Sequence, residues 1–152
     1  MTNRLPFLLL IAFFLVSCAS VKQDEIFREI SIWPNGKIYL GKEFQQRNEI
    51  AIQIAPYSYK LIENTFGGAE SITVFTDSIN IVESIRFDYP TDYDYDKEVK
   101  NYKLIFSEKL QYLSFSRDTL DFISWKDEKT IFEITRKKGN QNKIHSILTN
   151  SR

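Results

Sequence analysis

The sequence predicts an α+β fold: an antiparallel β-sheet of hairpins and meander connections with one or two helices packed on one face. Three observations lead there. Apolar residues recur at a period of two through several short runs, as in Ile50, Ile52 and Ile54. A single longer segment instead keeps a helical spacing, with Tyr95, Val99, Tyr102, Phe106 and Leu110 gathered on one stripe. The joints between the C-terminal runs are short and polar, which suits hairpins rather than crossovers.

In chain order, Ile30 to Trp33 alternates, Pro34-Asn35-Gly36 has turn chemistry and Ile38 to Leu40 follows, so a hairpin opens the domain. The Ile50–Ile54 strand stops at Pro56. Leu61, Ile62, Thr65 and Phe66 then sit at helical spacing behind Pro56 and ahead of Gly67-Gly68, which predicts a short helix over Tyr57–Phe66, with a strand as the competing assignment. Ile72 and Val74 mark a strand, Thr76-Asp77-Ser78 a turn, and Ile79, Ile81, Ile85, Phe87 and Tyr89 one face of a longer strand ending at Pro90. The main helix is expected from Tyr93 to Lys109. Leu113 and Phe115, Leu120 and Phe122, Phe132 and Ile134, and Ile144 and Leu148 then predict four strands, joined at Arg117–Thr119, Lys126–Lys129 and Lys137–Asn142. The C-terminal half therefore reads as a helix packed on an antiparallel meander. Tyr59-Lys60-Leu61-Ile62 recurs as Tyr102-Lys103-Leu104-Ile105, which suggests two related helix-plus-strands units sharing one sheet.

Composition bounds the function. Hydrophobic residues make up 43% of the chain and aromatics 14%, enough for a core and far from a disordered composition. Twenty basic and twenty acidic residues cancel, so neither nucleic acid nor another polyanion is an expected partner.

The first residues are not part of that domain. Arg4 gives a positive start, Leu5 to Val16 is apolar, and this run is shorter than the roughly 20 residues of a spanning helix. The quartet Leu15-Val16-Ser17-Cys18 resembles the lipobox of bacterial lipoproteins. That resemblance implies cleavage before Cys18, diacylglycerol on its thiol and an acyl chain on the new amine. Three chains at about 0.8 kcal/mol per buried methylene anchor almost irreversibly. An ordinary export signal would instead be cut after Ala19 and would carry the only cysteine away with it. The expected division is thus a signal peptide over 1–17, a lipidated Cys18 with a tether over 18–25, and one domain over 26–152. Ala19, where an aspartate would imply inner-membrane retention, implies the outer membrane and its periplasmic face, although Lys22 to Glu25 also resembles the short acidic tags of surface display. Small envelope lipoproteins of the assembly-factor and inhibitor type are similar in build.

Catalytic chemistry is sparse. His145 is the single histidine and reads as an ordinary strand residue, and with no cysteine after Cys18 the common zinc sets cannot be assembled. No catalytic residue, metal or cofactor is expected. Gly36 to Glu43 has the glycine and lysine spacing of a phosphate loop, but Glu43 stands where a hydroxyl should hold magnesium. Asp92, Asp94 and Asp96 alternate as in a calcium loop, yet Lys97 replaces the turn glycine and Lys103 the closing glutamate. Capping explains these acids better, with Asp92 or Asp94 at the helix start and Asp96 and Glu98 on the positive end of its dipole. Tyr89, Asp92, Tyr93, Asp94 and Tyr95 together form the candidate binding surface, because tyrosine supplies contact area at low entropic cost. The expected function is a non-enzymatic, lipid-anchored protein-binding module, either an envelope component or an inhibitor or immunity-type protein. The competing class is a small-ligand or metal binder using the acidic turn. An enzyme would have to work with carboxylates alone, and the twenty acids mark no pair.

Overall fold

A computed structural model of the chain describes residues 22–32, 36–46, 50–62, 67–139 and 142–151. The signal segment, Cys18 and Pro34-Asn35 lie outside the described residues. Strands β1 (Glu29–Ile32) and β2 (Gly36–Tyr39) form the expected hairpin as a small separate sheet. The main sheet is antiparallel throughout and holds β3 (Ala51–Ala55), β4 (Ser58–Leu61), β5 (Ser71–Thr76), β6 (Val82–Tyr89), β7 (Gln111–Arg117), β8 (Leu120–Lys126), β9 (Thr130–Lys137) and β10 (Lys143–Asn150). Its spatial order is β3-β4-β5-β6-β10-β9-β8-β7. Each half is a four-strand meander, and the last strands of the two halves, β6 and β10, meet at the centre. Among the described residues one helix, α1 (Tyr95–Ile105), links the end of β6 to the far edge strand β7. The α+β class holds in this coarse sense, with strand dominating.

Three local expectations are corrected. Tyr57–Phe66 is not a helix over its described part. Tyr57 turns at φ +59 directly after Pro56, and Ser58–Leu61 runs back as β4, with Tyr59 and Leu61 buried at the strand period; residues 63–66 lie outside the described residues. Ile79 is not on a strand face. Asp77 Oδ1 accepts the amides of Ile79 (3.0 Å) and Ile81 (2.9 Å), which closes a turn and leaves Ile79 exposed. The strand then starts at Val82, and a register shift between Thr76 and Phe75 lets Val82 and Ile85 both point inward. Finally, the repeated Tyr-Lys-Leu-Ile falls on β4 in one copy and on α1 in the other, so it does not mark equivalent units.

The helix is shorter than its apolar stripe. Asp94 is its N-cap, accepting from the Lys97 amide at 2.9 Å, and Asp96 and Glu98 occupy the first turn. Phe106 ends it in extended geometry. Tyr95, Val99, Tyr102 and Phe106 face the inner side of the sheet, where Tyr102 meets Phe132 (ring centroids 4.6 Å apart) and Phe106 meets Trp125 (5.4 Å). Phe27 packs on the same Phe132 at 5.4 Å and Phe44 on Tyr59 at 4.9 Å, so helix, hairpin and the loop after it share one side of the sheet. Arg28 ties that layer down, donating to Thr130 Oγ1 (2.8 Å), to Asn150 Oδ1 (3.0 Å) and to the Lys129 carbonyl (2.8 Å).

The tether expected over 18–25 is pinned at its C-terminal end. The Gln23 amide donates to the Ile105 carbonyl at 2.8 Å and its carbonyl accepts from Ser107 at 2.9 Å, while Asp24 pairs with Lys109. The described chain thus enters beside the end of α1.

Candidate binding face

Strand alternation puts two very different surfaces on the main sheet. The inner surface is the core, with Ile72, Val74, Ile85, Phe87, Phe132, Ile134 and Leu148 fully buried. The outer surface carries Phe75, Arg86, Asp88, Phe122, Ile131, Glu133, His145 and Ile147 from five adjacent strands, all half-buried against one another. It continues onto β7 as Leu113 and Phe115, which are 59% and 38% exposed. Phe115 stacks on Phe122 with centroids 5.0 Å apart, and the Arg117 guanidinium lies over the Phe115 ring at 5.4 Å. A single antiparallel sheet with one packed face ordinarily shows polar side chains on the other. Here that face is mixed, with aromatic and branched side chains around a few charges.

Those charges are unevenly matched. Arg86 donates through Nε (2.9 Å) and Nη2 (2.7 Å) to Asp88 Oδ1, a paired unit on β6. His145 stands opposite Asp88 on β10; burial first, and then Arg86, lower its pKa, so the imidazole is biased to its neutral form. Glu133, between Ser124 on β8 and Ile147 on β10, has its pKa raised by burial alone. Among the described residues no cation offsets that burial, and the carboxylate is held on a partly apolar surface.

The acidic turn is built differently from its sequence reading. Tyr89 and Tyr95 are each only 5% exposed, so of the five candidate residues Asp92, Tyr93 and Asp94 reach the surface. The Tyr89 hydroxyl is within hydrogen-bond distance of Ser146 Oγ (3.0 Å), and burial pushes its pKa up to about 12. Tyr93 stacks on Tyr89 at 4.3 Å and donates to the Gly67 carbonyl at 2.9 Å, clamping the loop before β5. Asp94 is committed to the helix cap, and Asp96 accepts from Arg136 Nη1 at 3.0 Å. Among the described residues no three histidine, cysteine or acidic side chains come together as metal ligands. The Gly36–Glu43 spacing falls on β2 and the bend after it, where Lys42 covers the Tyr39 ring at 4.5 Å. It is an arm of the hairpin, not a strand-to-helix phosphate loop.

One cluster had no sequence signal. On the inner side at the helix start, Asp121 accepts from Arg136 Nε (2.7 Å) and Ser116 Oγ (2.6 Å) and pairs with Lys138 (2.7 Å). Burial would raise this carboxyl, but the bonds from Lys138, Ser116 and Arg136 outweigh it and hold the pKa at about 2. Arg136 also covers the Tyr95 ring at 4.4 Å. With every charge answered, the cluster is a brace between α1, β8 and β9. Arg136 and Lys138, on either side of Lys137 at the end of β9, supply two of its members.

The described residues contain no helix long and apolar enough to cross a membrane. Comparison with family models, curated proteins and solved structures gives no match to this chain.

Proposed function

We propose that this protein is a lipid-anchored, non-enzymatic lipoprotein of a bacterial envelope, held through Cys18 on the periplasmic side of the outer membrane, whose domain binds another protein. Its role is that of an envelope component or of an inhibitor or immunity-type protein. The N-terminal charge, apolar run and Leu15-Val16-Ser17-Cys18 support the anchor. The observation that carries the binding role is the mixed outer face of the sheet. Its aromatic and branched side chains resemble the core of a protein interface more than a solvated surface, and Glu133 keeps an uncompensated carboxylate that a partner's cation would satisfy.

Two measurements test this. Growing cells fed a fatty-acid analogue should label the wild type and not Cys18→Ala, with membrane association lost in parallel; an unlabelled, soluble wild type overturns the anchor. A photo-reactive phenylalanine analogue at Phe122 should give a discrete crosslinked protein species, while the same analogue at Ile79, exposed on the β5–β6 turn, should not. Equal crosslinking from both positions, or none from Phe122, overturns the binding face.

A further inference from the structure

The two edges of the main sheet are treated in opposite ways. Edge strand β3 is short, carries a register shift between Gln53 and Ala55, and runs into Pro56, all devices that discourage pairing with another strand. Edge strand β7 has none of them. It pairs with β8 in unbroken register over seven residues, every one of them is exposed, it contains neither proline nor bulge, and its only charge is the terminal Arg117. We infer that β7 pairs antiparallel with β7 of a second copy, about a two-fold axis through Ser114, joining two sheets into one.

The backbone and the side chains agree on this register. The β7–β8 hairpin closes on Arg117 and Leu120 around the two residues Asp118 and Thr119, so Arg117, Phe115, Leu113 and Gln111 direct their amides and carbonyls to β8. Tyr112, Ser114 and Ser116 direct theirs outward. Centring the axis on Ser114 sets these same three residues opposite one another as hydrogen-bonded pairs, Tyr112 against Ser116 of the second copy and Ser114 against itself. On the outer face Leu113 then meets Phe115 of the second copy, and the reciprocal pair repeats it. Arg117 faces Gln111, so no like charges oppose. A sequence that reads this well against itself in reverse identifies the occupant as another copy of the chain. The pairing extends the outer face across the junction and does not require that face to be the site of partner binding.

The experiment uses the full chain with Ser114→Cys in a Cys18→Ala background, so that position 114 is the only thiol whether or not Cys18 is normally lipidated. Directly opposed residues in a hydrogen-bonded antiparallel pair have Cα atoms roughly 5.5 Å apart, within disulfide reach. Mild oxidation in cells should convert most of the protein to a disulfide-linked dimer. Adding Leu113→Lys, an exposed change that opposes the second copy's Phe115, should reduce that fraction at least tenfold with circular dichroism unchanged. A Ser114→Cys chain that stays monomeric, that crosslinks to a different protein, or that dimerises equally with Leu113→Lys overturns the proposal. Failure of the anchor is read separately, from fatty-acid labelling of the chain with Cys18 intact.

Discussion

Arg136 Nη2 lies 2.6 Å from Asp121 Oδ2 across the β8–β9 ladder, in a pocket where only 7% of the Asp121 side chain is exposed. The pair stands directly opposite in register, with Lys138 and Ser116 closing the rest of the carboxylate. Because the Asp121 pKa is depressed to about 2 from an ordinary 3.8, its contribution is fully present above pH 4 and is lost as pH falls through 2. Asp121→Ala should cost about 2–3 kcal/mol at pH 7, since it leaves Lys138 without this carboxylate and Arg136 with only the exposed Asp96. In urea titrations between pH 5 and 2 the variant should also show a shallower fall in stability than the wild type. A parallel fall would remove Asp121 from the acid limb.

Glu133 should behave in the opposite sense. Its raised pKa means that ionisation at neutral pH opposes folding, and the penalty is relieved as the group protonates. Glu133→Gln should therefore raise the melting temperature at pH 7 and have little effect at pH 4. The same substitution should weaken crosslinking from Phe122 if a partner's cation answers this carboxylate.

The loop before β5 depends on a glycine. Gly68 sits at φ +80, and a Cβ there would lie 3.0 Å from Tyr93 Cε2. Gly68→Ala should cost about 1–3 kcal/mol from the combined backbone strain and contact. In the Tyr93→Ala background the cost should shrink to the backbone part. Thermal melts of the four chains in that cycle check it.

Phe132 is the hub of the aromatic layer, meeting Phe27, Tyr102 and Trp125 while only 1% exposed. Phe132→Ala should cost about 3–5 kcal/mol. Chemical denaturation with near-ultraviolet circular dichroism should report both the loss of stability and a loosened Trp125.

Periodicity was a sound guide to which segments are strands, and its apolar face is the buried one in β5, β6, β9 and β10 but not in β3 or β7. Ile50, Ile52 and Ile54 mark β3 correctly, yet Ala51 is the buried residue while Ile52 and Ile54 are 58% and 56% exposed, because alternation alone does not choose a face. Over Tyr57–Leu61 the helical spacing lost to the ladders formed with β3 and β5, which are tertiary. The helix cap at Asp94 was legible because capping is local. The fate of the tyrosines was not, since the composition that suits an interface also suits a core, and only packing on Ser146 and the Gly67 loop separates the two. Asp121 and Arg136 become neighbours only once β8 and β9 are in register, so no spacing rule could pair them. The outer face likewise exists only after five strands have been ordered.

The position of Gln23 sets how an anchored domain would stand. Gln23 is fastened to Ile105 and Ser107, on the side of the sheet that carries α1. From there to Cys18 the chain can reach at most about 18 Å. With Cys18 acylated, the domain would be attached from the helical side of the sheet, leaving the outer face clear of the tether. A two-fold axis through Ser114 would run perpendicular to the sheet and keep both attachment points on the same side of the joined sheets. Two joined copies would then stand on two lipid feet, presenting one broad platform at a fixed height to whatever diffuses above it.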